Sequence, residues 1–270
     1  MSLLLCSVSV KTLVLYLPLV DGSCRVNYEF IWGRSDIHRA REPVKETNMD
    51  KLSTSEPRVY GYVRVACGIL THLACVAFTA ITAVVSRPGT SLFSWHPFFM
   101  TLAFSLLMTE AILVFSPSTS PIWKLPHKTK GRFHWLLQGL CATCATLGLA
   151  AICYNKHLNG KPHFHSWHGL LGVVTVCGVA LQSLAALPLI YTSLAKGRSL
   201  ARLKRLHATW GLVLYLLGSA SLFLGACSAW FTGSVVGHTW YLAALCPALC
   251  ALAVMSQVTD AYMAKKRFQS

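Results

Sequence analysis

A chain of 270 residues that is 54% hydrophobic and only 12% charged, with mean hydropathy +0.52, has too little polar surface to coat a soluble globule of its size. The composition reads as an integral membrane protein with one helical bundle. A formal charge of +15 would suit nucleic acid if the basic residues formed a stripe on a polar domain, but they occupy short connections between apolar runs, a pattern of membrane topology that argues against a nucleic-acid partner.

Seven of the nine acidic residues precede residue 59, which leaves Glu110 and Asp260 for the apolar remainder. The composition therefore changes near Arg58. Residues 1–58 hold an apolar opening, Met1 to Val20, interrupted by Lys11, and then a polar stretch of mixed charge. The opening resembles a signal-peptide core but has no basic residue before it and no small-residue cleavage site after it. The expectation is a poorly ordered N-terminal extension, with Met49 an alternative start.

Six apolar runs follow, each near the ~20 residues that cross a hydrocarbon core: Val59 to Val85, Trp95 to Phe115, Phe133 to Tyr154, Ser166 to Ile190, Leu206 to Trp230 and Thr239 to Met263. A lipid-embedded backbone must satisfy its own hydrogen bonds, so these runs are predicted helices. The expected fold is an all-α membrane protein, a six-transmembrane-helix bundle over residues 59–263 with a four-helix core, closed by a basic tail at 264–270. Turn chemistry marks the breaks, as in Arg87-Pro88-Gly89 and Asn159-Gly160-Lys161-Pro162. Most of the eleven cysteines lie inside the runs, where a small hydrophobe is the usual role, so neither a disulfide scaffold nor a metal knuckle is expected.

Orientation follows from the basic residues. Connections two–three and four–five and the tail carry twelve of them, whereas the other side offers Arg87, Lys156 and Lys161. The positive-inside rule then places both termini in the cytosol. It also sorts four histidines that stand just inside four consecutive runs: His96 and His168 fall on the non-cytosolic side, His134 and His207 on the cytosolic side.

An imidazole in hydrocarbon is expensive and is normally paired or functional. Two neutral imidazoles facing each other across a bundle core are an axial ligand set for haem iron, and two such sets stacked give an electron path across the bilayer. Gly172 and Gly211 each follow a histidine by four residues, and Gly218 and Gly225 continue the face of run five, so a ring or a neighbouring backbone can approach closely. On run four His165 is the alternative to His168; the tripeptide Ser-Trp-His, present at 94–96 and 166–168, favours His168. Trp95, Trp135, Trp167 and Trp210 read as interfacial aromatics. His72, midway in run one, reads as a hydrogen-bonded core residue.

From about Met49 onward the sequence resembles the cytochrome b561 family. The likeness rests on Ser91-Leu92-Phe93-Ser94-Trp95-His96-Pro97, Met108-Thr109-Glu110-Ala111, Phe115-Ser116-Pro117, His134-Trp135, Leu203-Lys204-Arg205-Leu206-His207-Ala208-Thr209 and Trp240-Tyr241-Leu242-Ala243. It implies two b-type haems, one held by His96 and His168 and the other by His134 and His207. It also implies electron transfer from cytosolic ascorbate to monodehydroascorbate or ferric iron across an intracellular membrane, endoplasmic reticulum or cytoplasmic vesicle. A homodimer is compatible with this reading. The string His165-Ser166-Trp167 is itself family-like, which keeps His165 as the alternative ligand.

Ascorbate is an anion at neutral pH, so a basic rim formed by Lys128, Lys130, Arg132, Lys204 and Arg205 would concentrate it, although the same residues also set topology. Glu110, fourteen residues after His96, falls on nearly the same face of an ideal helix. It is expected to be protonated or paired with a basic loop residue, and to tune the cytosolic haem or couple a proton to its reduction. Two other classes stand beside this reading: a metal-ion carrier using histidine pairs, which needs polar or acidic residues near the midplane, where runs three to five have no acidic residue, and a haem-free scaffold, which leaves the paired histidines without a purpose.

Overall fold

The computed structural model describes residues 58–267, with side chains described for 61–263. The N-terminal extension with Met49 and the side chains of the basic tail lie outside these residues. Every element among those described is helical. Six helices are long and apolar enough to cross a membrane: α1 (Arg58–Ser86), α2 (Leu92–Leu113), α3 (His127–Leu158), α4 (Trp167–Ala185), α5 (Leu200–Ala226) and α6 (His238–Arg267). Each takes in most of one predicted run. Helices α3 and α5 begin six residues before their apolar runs, because the lysines and arginines there are good helix formers and wind into the first turns.

Helices α2 to α5 form a four-helix ring in which α2 packs on α3, α3 on α4, α4 on α5 and α5 on α2; α1 and α6 flank it and pack on each other. The outer surface is apolar: Leu73 is 62% exposed, Val84 74% and Leu181 68%. Such a surface calls for lipid around the bundle.

The helix ends are built from short-range hydrogen bonds. At the start of α2, Ser91 and Ser94 form a reciprocal capping box, each backbone N–H donating to the other's hydroxyl at 3.3 and 3.1 Å. At the start of α4, Ser166 is the cap and accepts from the Gly169 N–H at 3.1 Å. The two Ser-Trp-His tripeptides therefore occupy different helical positions, with His96 in the second turn of α2 and His168 in the first turn of α4. The Trp240 indole donates to the Ala226 carbonyl at 2.8 Å and so satisfies the last turn of α5.

Midway along α2, Thr101–Leu107 is π-helical. A π turn takes one residue more than an α turn, so everything beyond it is turned back by about 100°. This corrects the expectation that Glu110 shares a face with His96. His96 points to α3 and α4, whereas Glu110 reaches α1.

Between the levels of the two histidine pairs, α2 contributes Phe104 and Met108 and α5 contributes Leu214 and Tyr215 to the buried core. Its buried polar contact joins the hydroxyls of Thr109 and Tyr215 at 2.9 Å, with Thr109 0% and Tyr215 2% exposed. Without the tyrosine hydroxyl, Thr109 keeps only the longer bond to the Phe104 carbonyl at 3.4 Å. Tyr215→Phe is expected to cost about 1 kcal/mol, measured as a lower thermal unfolding midpoint in detergent.

Candidate functional site

The four histidines meet in two pairs. His96 of α2 faces His168 of α4 with ring centroids 6.0 Å apart and planes at 81°. His134 of α3 faces His207 of α5 with the same separation and angle. The first pair lies at the end carrying the α1–α2 and α3–α4 connections; the second lies at the end carrying α2–α3 and α4–α5.

Each ring is aimed by a bond on its far nitrogen. His96 Nδ1–H donates to the Gly148 carbonyl of α3 at 3.0 Å, and His134 Nδ1–H donates to the Ala111 carbonyl of α2 at 2.8 Å. His168 Nδ1–H donates to the Ser221 carbonyl of α5 at 2.8 Å. Helices α2 and α3 thus steady each other's histidine, and α4 and α5 do the same. The carbonyls of Gly148 and Ser221 lie inside their helices, where each already accepts one bond and offers its second lone pair to the imidazole; that of Ala111 lies in the last turn of α2, where the Phe115 N–H turns to the Ile112 carbonyl, and the imidazole takes the place left open. A carbonyl only accepts, so these three rings carry their proton on Nδ1 and leave Nε2 with its lone pair exposed toward the partner.

His207 is different. Its partner is the Gln182 side chain of α4, whose amide nitrogen lies 3.0 Å from Nδ1 and donates to the His207 carbonyl at 2.7 Å. Gln182 was not among the residues singled out from the sequence. It is the one amide side chain in run four, and a polar group inside a membrane helix is itself a signal. In this amide orientation Nδ1 accepts and the ring proton sits on Nε2; turning the amide to present Oε1 would let Nδ1 donate as in the other three rings, at the expense of the bond to the His207 carbonyl.

The spacing can be tested against a shared metal. An imidazole nitrogen lies about 1 Å from its ring centroid and metal–imidazole bonds run about 2 Å, so two rings on one ion have centroids about 6 Å apart. Both pairs match. The carbonyl partners of His96, His134 and His168 are the type that metal-bound imidazoles use to fix tautomer and direction. The glycines support the same arrangement: a Cβ on Gly225 would lie 3.2 Å from the His168 ring, and one on Gly211 would lie 3.6 Å from the Gln182 amide. Gly172 faces the Ser221 hydroxyl at 3.4 Å, and Gly218 faces Phe104 at 3.1 Å. The close approach that the sequence suggested is made by protein neighbours at all four positions.

His165 is exposed and precedes the α4 cap, so it reaches neither pair in this arrangement. The signal that separates it from His168 is the capping serine between them. At the α2–α3 and α4–α5 end, Lys128, Arg132 and Arg205 are exposed and Lys204 is half-buried, while Lys130 is turned inward at 7% exposure. Glu110 pairs with His72, a helix residue, where a basic loop residue had been one expectation. Among the described residues no three His, Cys, Asp or Glu side chains converge on a metal-sized site, and the nine described cysteines are all free.

Comparison with known proteins places this geometry in context. The sequence model described as eukaryotic cytochrome b561 matches residues 95–232. The chain is 50% identical over 215 residues to human transmembrane reductase CYB561D2, covering 80% of this chain and 97% of that one. It is 42% identical over 224 residues to mouse probable transmembrane reductase CYB561D1, covering 83% and 98%. It is 24% identical over 161 residues to the rice (Oryza sativa subsp. japonica) probable ascorbate-specific transmembrane electron transporter 1, covering 60% and 67%.

Two substitutions separate the ends of the bundle. As a ligand pair, His134–His207 would lose its side-chain support on Gln182→Leu, and cofactor affinity there is expected to fall roughly 10–100-fold while His96–His168 is unaffected. Gly225→Ala crowds the His168 ring and is expected to do the reverse. Cofactor titration of the two variants, followed in the visible spectrum, reads both effects.

Proposed function

The chain belongs to the eukaryotic cytochrome b561 family, and we propose that it carries single electrons from ascorbate at its basic end to an acceptor at its opposite end through two b-type haems. The coarser activity is that of a multi-pass transmembrane electron transporter, an oxidoreductase with b-type haem as its cofactor. The observation that supports the two-haem reading is the repetition of one geometry: two facing imidazole pairs, one at each end, each with centroids 6.0 Å apart.

In this reading His96 and His168 hold one haem and His134 and His207 the other. When bound, each haem supplies one-electron redox chemistry at its iron, tuned by axial ligation and by the groups hydrogen-bonded to those ligands. The protein's own residues do the rest. The carbonyls of Gly148, Ala111 and Ser221 keep three ligand rings in one tautomer, so no proton has to move before Nε2 binds. The apolar core around Phe104 and Tyr215 would keep water from the space between the pairs.

The donor side follows from charge. Lys128, Arg132 and Arg205 are exposed near the starts of α3 and α5, the helices that carry His134 and His207. Together with Lys204 they would draw an ascorbate anion to that pair. Lys130 would act from inside, through its field. The positive-inside rule assigns this end to the cytosol, with both termini on the same side. The rice relative's name supports ascorbate as donor. Monodehydroascorbate or ferric iron would accept electrons at the His96–His168 end, in the lumen of the endoplasmic reticulum or a cytoplasmic vesicle.

Ligand substitution tests the assignment. His168→Ala is expected to abolish the haem at one end and spare the other, with a halved absorbance and one remaining redox transition, while His165→Ala retains both. The opposite pattern would move the ligand to His165. Charge reversal at Lys128 and Arg132 is expected to raise the half-saturating ascorbate concentration without changing the spectrum; an unchanged value would remove them from the donor site.

A further inference from the structure

Helices α1 and α2 bring together two titratable side chains that the haem-ligand reading leaves unused. His72 lies midway along α1 and Glu110 lies beyond the π segment of α2. Nδ1 of His72 meets Oε1 of Glu110 at 2.7 Å. Nε2 of the same ring donates to the Thr119 carbonyl at 3.2 Å, and the Cys75 thiol donates to the same carboxylate oxygen at 3.3 Å.

These contacts fix the proton count. A carbonyl only accepts, so Nε2 of His72 carries a hydrogen. A 2.7 Å approach of Nδ1 to Oε1 requires one more proton between them, whichever atom owns it. The pair with that proton is neutral overall, either as imidazolium and carboxylate or as imidazole and carboxylic acid. Without the proton it is a bare carboxylate in an apolar bundle, which is costly unless a positive charge compensates.

The surroundings contribute little charge. Helix α1 adds Cys75 and helix α6 adds Cys250 and Cys246, which pack with Ala74 and Leu106 around the site. The segment after α2 adds the Thr119 carbonyl. Helix α3, packed on the same part of α2, carries His127, Lys130 and His134 in its first two turns. The Arg64–Asp260 ion pair joins α1 to α6 at 3.2 Å near the ends of both helices. The side chains of His72 and Glu110 are neither of them fully buried, and the Thr119 carbonyl that His72 reaches belongs to the α2–α3 connection, the nearest route for a proton.

The neighbouring residue supplies the link. The carbonyl of Ala111 receives the Nδ1–H of His134. One turn of α2 therefore holds the proton-sharing carboxylate on the side facing α1 and orients a haem-ligand candidate on the side facing α3. We propose that the His72–Glu110 pair is a redox-linked proton site, holding its shared proton more firmly when the His134–His207 site has gained an electron and releasing it to the same aqueous phase when the electron moves on. The coupling is reciprocal: whatever the electron adds to proton affinity, the proton adds to electron affinity. An ascorbate monoanion that loses one electron also releases one proton to become the radical anion, so the donor reaction supplies both charges. No net proton crosses the membrane.

This inference rests on the haem reading above, and the test separates the two. Spectroelectrochemical titration of the full chain at several pH values around neutrality reads the midpoint of each haem. For the His134–His207 haem the midpoint is expected to fall as pH rises, approaching the tenfold change in equilibrium constant per pH unit of a one-proton couple, about 59 mV for one electron. Glu110→Gln and His72→Gln are each expected to flatten that slope while the other haem keeps its potential. The reduced-minus-oxidised infrared difference spectrum of the unmodified chain is expected to contain a carboxyl band that Glu110→Gln removes. That measurement stands even if a variant binds haem poorly. A pH-independent midpoint in a chain holding both haems overturns the inference and leaves the haem reading in place, as does a slope that survives both substitutions. A chain purified without haem overturns the reading itself and the inference with it.

Discussion

The four paired imidazoles take their direction from hydrogen bonds made on the sides of the rings that face away from their partners. Three of these bonds end on carbonyls of a neighbouring helix, at Gly148, Ala111 and Ser221. Each holds one helix in rotational register with the next, because a slip by one residue would carry the carbonyl about 100° away from the ring. The pairing of α2 with α3 and of α4 with α5, the two parallel ring separations and the glycines at close approaches are consistent with this single constraint. The fourth bond uses the Gln182 side chain, so the His134–His207 site is the one whose orienting group can change with a single side-chain substitution.

Helix α2 has to satisfy two sets of neighbours. Its first half must turn His96 toward α4 and its second half must turn the Ala111 carbonyl toward α3 while Glu110 reaches α1. An uninterrupted α-helix would have put Glu110 close to the His96 face. The π segment at Thr101–Leu107 removes that conflict by resetting the rotation between the two halves. Its cost falls in a stretch where Thr101, Ala103, Phe104 and Ser105 are all buried and held by packing.

Much of the architecture could be read directly from residues. Six apolar runs of spanning length give six helices because lipid leaves the backbone no alternative, and histidines at four successive run entrances come together in the order that alternating direction requires. Details that depend on backbone groups left no trace of this kind. A carbonyl has no side-chain letter, so the partners of His96, His134 and His168 could not be named. The π segment is built from Thr-Leu-Ala-Phe-Ser-Leu-Leu, which is ordinary helical sequence, and its presence comes from packing on both sides. The helical starts at His127 and Leu200 were missed because hydropathy reports the span and not the helix. Two features were within reach: Ser166 as the cap that leaves His165 outside α4, and Gln182 as the amide in an apolar run.

The central claim is that each end of the bundle holds its own haem between two histidines. The most direct measurement is the haem content of the purified full-length chain, by pyridine haemochrome absorbance against protein concentration, in the unmodified protein and with both histidines of one pair replaced by alanine. Two protohaems per chain are expected, falling to one when either pair is removed. A value of one in the unmodified chain, or loss of both haems on replacing either pair in a chain that remains folded, would contradict it.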